Sequence, residues 1–128
     1  MPFEWAKNNG VKAIMVNHLI ATGEVDSRFS PSVVSGNVIG KLKKDYDGLV
    51  LSDEVGMVGL SGIYSNNERQ MYIDLVNAGN DVILDFRAEA WHLFKVVSII
   101  ENAVETGEIS EDRIDDAVIK ILKMKGFK

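Results

Sequence analysis

Three short apolar stretches, residues 11–16, 49–51 and 81–86, recur along this chain and constrain its fold more than any other feature. Each begins after a glycine, an asparagine or a Gly-Asn pair and ends on a polar or acidic group: Asn17-His18, Ser52-Asp53 and Asp85. Runs this short, with turn residues on both sides, read as buried parallel strands rather than as helices. They recur at roughly 30–35-residue intervals, the size of a βα unit. Helical periodicity fills the intervals, which points to an α/β fold with a parallel sheet covered by helices. A complete eight-unit barrel needs about 250 residues, and a chain of 128 residues holds three such units.

The helices can be read in order. Pro2 suits a first helical position and Asn9-Gly10 a stop, giving a short opening helix over 2–9. After the first strand, residues 19–29 read as a long loop. Ser30 is then a good N-cap, Pro31 a good first helical residue, and Val33, Val34, Val38, Ile39 and Leu42 recur with helical spacing. The glycines after Met57 (Gly59 and Gly62, with Asn66) read as a second loop. Glu68 opens a helix with Met71, Tyr72, Leu75 and Val76 on one face and Gly79 at its end. A long helix is expected over 89–106. A last helix is capped by Ser110, with Ile114, Val118, Ile121 and Leu122 as its buried stripe and Lys120, Lys123 and Lys125 suiting its C-terminal dipole.

Charge and composition exclude several classes. A net charge of −5 argues against non-specific nucleic-acid binding; the Lys41, Lys43, Lys44 cluster fits the last turn of a helix. Without cysteine there is no disulfide, thiol nucleophile or thiolate metal site. No apolar stretch approaches the roughly 20 residues of a membrane span, and the N-terminus has neither the basic nor the apolar region of a signal peptide. The chain opens directly into a helix, as a piece of something larger would. The loop glycines form no phosphate-binding GxGxxG or P-loop pattern.

Chemistry in parallel α/β folds gathers where strands emerge at their C-terminal ends. That singles out Asp53, which could equally cap a following turn or be solvated. His18 could line a pocket, bond locally or act as an acid/base. Met57 could line a site or fill a core gap. Glu54, adjacent in an extended stretch, points away from Asp53 and is not its partner. Asp85 with Arg87 could touch a substrate or form a local ion pair, and the pattern favours the ion pair. His92, in a helix beside Trp91, reads as packing or surface. One histidine and two dispersed carboxylates are a poor metal set, so no metal site or cofactor is expected.

Several segments together resemble glycoside hydrolase family 3, in the last part of its catalytic (β/α)8 TIM barrel. Ala13-Ile14-Met15-Val16-Asn17-His18 is similar to the strand that opens this part, and Ser30-Pro31 through Val34 to the helix start "LSP-x-VV/I". Asp47-Gly48-Leu49-Val50-Leu51-Ser52-Asp53 resembles "FDGLVISD", with Met57 where a methionine often follows. Ala78-Gly79-Asn80-Asp81-Val82-Ile83-Leu84 resembles "AGNDVLL", and Gly107-Glu108-Ile109-Ser110 through Lys125 the closing "GEIS-x-x-RI" segment. The motifs occur in order over essentially the whole chain.

The resemblance implies a partial barrel: the last three βα units plus a C-terminal helix, with residues 1–128 a C-terminal segment of the catalytic domain. It implies retaining hydrolysis of terminal β-glycosides, with Asp53 as the nucleophile, His18 and Met57 at the substrate and no cofactor. Such chemistry needs a second proton-transfer group about 5–5.5 Å from the nucleophile. The ending at His18 resembles the β-N-acetylglucosaminidase branch, implying a β-N-acetylglucosaminide as the carbohydrate substrate. The segments that carry the family's acid/base and most sugar-binding groups have no counterpart here. A catalytically silent fragment is therefore the alternative, one that self-associates into a homo-oligomer or complements a missing barrel half, because a three-unit piece leaves open sheet edges and an uncovered face.

Overall fold

A computed structural model describes residues 2–65, 67–87 and 89–127. The elements run α1 (Pro2–Asn8), β1 (Ala13–Val16), a 3-10 turn (Ser32–Val34), α2 (Gly36–Lys43), β2 (Leu49–Ser52), α3 (Val58–Tyr64), α4 (Glu68–Ala78), α5 (Ala90–Glu105) and α6 (Glu111–Met124). β1 and β2 are parallel, with Ala13 opposite Leu49 and Val16 opposite Ser52.

The third expected strand lies beside β2 but pairs as a single parallel bridge, Leu51 to Val82. Ser52 N donates to Val82 O at 2.9 Å and Val55 N to Leu84 O at 3.0 Å, so the stretch runs alongside β2. Leu84 N, however, donates to the Ser52 hydroxyl at 2.9 Å rather than to a carbonyl. A side chain has taken one place in the ladder, and the regular strand stops there.

Two other expectations are corrected. Ser35, not Ser30, caps α2, accepting from Val38 N. The residues between are tied to the loop after β1: Ser32 N and Oγ both donate to Leu19 O, and Val33 N donates to Asn17 O. These bonds hold the Ser30-Pro31 segment outside the helix. The stretch after Met57 is not a loop, because residues 58–64 form α3 despite Gly59 and Gly62. Leu60 anchors it, fully buried in the main core, and tertiary burial outweighs glycine's poor helix propensity. Asn66, placed in that loop, lies outside the described residues.

The main core joins Val16 and Val50 of the sheet to Val33, Ile39, Leu60, Tyr72 and Leu75 of the covering helices. A second cluster, Ile73, Val76, Ala103 and Ile109, seals α4 against α5. Gly79 ends α4 in the left-handed region at φ 113°, and its amide returns to the last turn. Ser110 caps α6, accepting from Arg113 N. The stripe assigned to α6 is only partly covered: Ile114 packs on the second cluster, while Val118 and Leu122 are exposed.

At the N-terminal end of the sheet, α6 is held by charge. The Asp81 side chain is fully buried and accepts from Lys43 Nζ at 2.8 Å, Arg113 Nη2 at 3.0 Å and Val50 N at 3.0 Å; Lys120 Nζ lies 3.7 Å away. Burial pushes this carboxyl up, but Lys43, the Val50 amide and Lys120 outweigh it and hold the group below the usual carboxylate range. Large apolar side chains remain outside the cores. They include Phe3 and Trp5 on α1 and Trp91, Leu93 and Phe94 on α5.

Candidate active site at the C-terminal end of the sheet

The register of β1 against β2 carries His18 two residues beyond Val16 and Asp53 one residue beyond Ser52, so both leave the sheet at the same end. Asp53 N donates to Val16 O at 3.0 Å, extending the ladder by one bond and fixing the backbone from which the carboxylate projects. Asp53 Oδ1 accepts from Glu54 N at 2.8 Å, while Oδ2 has no protein donor among the described residues. The side chain is half-buried. One oxygen is therefore held and the other is free to meet a ligand.

Glu54 turns into its own loop, its Oε1 accepting from Gly56 N at 2.8 Å, as its position beside Asp53 in an extended stretch requires. His18 Nε2 contacts Glu54 O at 2.8 Å. A carbonyl oxygen only accepts, so Nε2 carries the ring proton. Nδ1 is buried without a partner. Met57 is the N-cap residue of α3 and is 49% exposed, at the rim rather than in the core.

Asp85 leaves the third stretch at the same end and pairs with Arg87, Nε to Oδ1 at 2.9 Å, as its sequence position suggests. What the sequence conceals is the rest of the cluster. Tyr72 Oη donates to Asp85 Oδ2 at 2.5 Å, and His92 Nε2 lies 3.0 Å from the same oxygen. Arg87 reaches Glu68 Oε1 at 2.5 Å, and Lys95 also pairs with Glu68. His92 is thus a buried, bonded residue, with its ring edge-on to Trp91. Burial pushes the Asp85 carboxyl up, but Arg87, Tyr72 and His92 hold it well below the usual carboxylate range. Burial and the Asp85 anion push the Tyr72 phenol well above its ordinary value. Nothing in the spacing of Tyr72 and His92 announces this contact, because two helices bring them together.

Two cavities bear on the choice of site. One of about 520 Å³ is lined by Lys12, Gly48 and Lys120, at the N-terminal end of the strands. A smaller one of about 260 Å³ is lined by Val55, Ser61, Glu68 and Arg87, at the end that holds Asp53. Parallel α/β architecture favours the end where strands emerge into loops, but Asp53, His18 and Met57 line neither cavity. Among the described residues no three His, Cys, Asp or Glu side chains are grouped to hold a metal ion, and no helix is long and apolar enough to cross a membrane.

Comparisons with known proteins place the chain in a family. The chain is 28% identical over 127 residues to a β-N-acetylglucosaminidase/β-glucosidase of Cellulomonas fimi, an alignment covering 91% of this chain but 22% of that protein. The structure superposes on a family 3 β-N-acetylglucosaminidase from Paenibacillus sp. strain FPU-7 with a TM-score of 0.77 and 32% identity, covering 98% of this chain and 24% of the other. The β-N-acetylglucosaminidase of Thermotoga maritima gives a TM-score of 0.78 at 23% identity, with 95% of this chain and 27% of the other covered. The chain thus spans about a quarter of the length of these relatives. Residues 1–124 match the family model described as Glycosyl hydrolase family 3 N terminal domain, and the chain belongs to that family.

Proposed function

We propose that this chain forms the last three βα units of a retaining glycosidase barrel and carries its nucleophile, Asp53, for hydrolysis of terminal β-N-acetylglucosaminides. The observation that carries the proposal is Asp53 itself. It leaves the C-terminal end of β2 with Oδ1 held by the Glu54 amide and Oδ2 without a protein donor. In a double displacement the free oxygen would attack the anomeric carbon and form a glycosyl ester, with departure of the aglycone oxygen. Water would then cleave the ester. Met57, at the rim beside this carboxylate, would flank the sugar, and His18 would back it. The sugar class is inherited from the names of the relatives.

A second reading is favoured by the apolar surface. Trp5 is 69% and Phe94 71% exposed, on helices at opposite ends of the chain. Exposed apolar surface beside two open sheet edges supports a piece that self-associates or pairs with the remaining units of a barrel. Such a piece is catalytically silent by itself, because no residue here fills the proton donor's place by motif. Leaving-group protonation is commonly worth about 10²–10⁴-fold in rate.

The test is hydrolysis of aryl β-N-acetylglucosaminide and aryl β-glucoside by the purified chain, with Asp53→Ala as control. Turnover of the N-acetylglucosaminide that the substitution abolishes supports the first reading. Turnover equal in both proteins, or absent from both, removes the enzyme from the isolated chain and leaves the second.

A further inference from the structure

We infer that His18 is a positioning residue: it fixes the Asp53 carboxylate through the Glu54 main chain and does not itself bind the sugar. This rests on the reading of Asp53 as nucleophile and assigns the neighbouring histidine a different task from that of a substrate ligand.

Two observations carry it. First, one ring nitrogen is bonded to the protein and the other is enclosed by it. Nε2–H donates to Glu54 O at 2.8 Å, and Nδ1 is buried with no partner, so neither is presented to a ligand. Second, the first turn of α3 lies close against the base of the histidine side chain. A Cβ at Gly59, in the first turn of α3, would lie 3.2 Å from His18 Cβ, so any side chain there crowds the histidine.

The consequence reaches Asp53 by a short route. Glu54 is held at three points: its carbonyl by His18, its carboxylate by the Gly56 amide, and its own amide by Asp53 Oδ1 at 2.8 Å. The next residue is tied to the third stretch, Val55 N to Leu84 O at 3.0 Å. The His18 bond is the one of these that comes from the segment following β1. Together with the Val55 bond to Leu84 it holds the Glu54–Val55 peptide, and through the Glu54 Cα it restrains the preceding peptide, whose N–H sits on Oδ1, so that Oδ2 is left to face the substrate. A nucleophile that loses this orientation reacts more slowly without losing affinity for the sugar.

The test uses the full chain with two variants. His18→Gln can return an N–H to the Glu54 carbonyl, whereas His18→Phe fills the seat without a donor. Nitrogen-detected NMR of the native chain reads the tautomer: a proton on Nε2 and none on Nδ1 is expected, and the opposite assignment overturns the inference whether or not the chain is active. The second readout is the rate at which 2-acetamido-2-deoxy-5-fluoroglucosyl fluoride esterifies Asp53, followed by mass spectrometry of the Asp53 peptide. We expect His18→Gln to stay within about threefold of native and His18→Phe to fall by about tenfold, the size of one lost hydrogen bond. The concentration giving half-maximal labelling should stay unchanged. A rise in that concentration with the maximal rate preserved identifies a sugar ligand instead, and equal rates in the two variants also overturn the inference. Absence of labelling in the native chain would count against Asp53 as nucleophile, while the tautomer still decides the role of the ring.

Discussion

Removing the Asp81 carboxylate should be among the most damaging single changes in this chain. Its side chain has no solvent exposure and sits among Lys43, Arg113 and the Val50 amide, with Lys120 slightly farther away. Deleting one partner of a buried charge pair costs about 3–5 kcal/mol. Lys43 and Arg113 keep 23% and 15% of their side chains exposed, so water takes up part of their orphaned charge. We therefore expect the low end for Asp81→Ala, about 3 kcal/mol. A domain of this size has a total stability of about 6–19 kcal/mol, from roughly 0.05–0.15 kcal/mol per residue. The midpoint of thermal unfolding, followed by far-ultraviolet circular dichroism, should fall by about 10 °C. Asp81→Asn keeps the shape and one acceptor and should lose about 2 kcal/mol. The acid limb supplies a sign check. The folded Asp81 carboxyl is held below its ordinary value, so its stabilisation is complete above the unfolded value of about 4 and is lost as pH falls through the folded one. The gap between native and Asp81→Ala should thus begin to narrow below about pH 4 and close once pH falls through the lower folded value. A variant melting within about 2 °C of native at pH 7 would refute the claim that this network joins α2 and α6 to the sheet.

Gly48→Ala should destabilise by about 1–3 kcal/mol in urea titration, because the new methyl would lie 2.2 Å from the Tyr46 hydroxyl and 2.9 Å from Lys12 O. Tyr72→Phe removes a donor to Asp85 and an acceptor for Arg87, and should cost about 1–3 kcal/mol by the same measurement. Leu75→Ala, at a fully buried position, should cost about 2–5 kcal/mol. The self-association proposed above should be weakened in sedimentation velocity by glutamate at both Leu93 and Phe94, with circular dichroism unchanged, since both side chains lie on the outer surface of α5; a native chain that sediments as a monomer refutes that reading.

Local signals carried much of the fold. The apolar runs at 11–16 and 49–51 hold β1 and all but the last residue of β2, and the Gly79 stop after α4 and the Ser110 cap of α6 stand where residue chemistry demands them. Each depends on contacts within a few residues, and such contacts are legible in a sequence. The candidate site was legible in the same way as far as position goes: strand-end logic brings Asp53 and His18 to one end of the sheet.

What escaped the sequence depended on distant partners. Two glycines made 58–64 read as loop, because the burial of Leu60 that holds α3 together comes from elsewhere in the chain. Ser30 and Ser35 are equally good caps by chemistry, and bonds to Leu19 and Asn17 chose the second. The third strand contracted to one bridge because the Ser52 hydroxyl captured an amide. His92 joined Asp85 and Tyr72 only through the packing of α4 against α5, and Asp81 found its cations on two helices far apart in sequence. The sequence by itself determined the strands β1 and β2, the helices α4, α5 and α6, and which carboxylate ends the central strand, since periodicity and capping are local. Tertiary structure alone decided which charges are buried together and which way His18 turns, since those follow from desolvation and from contacts that exist only once the elements pack.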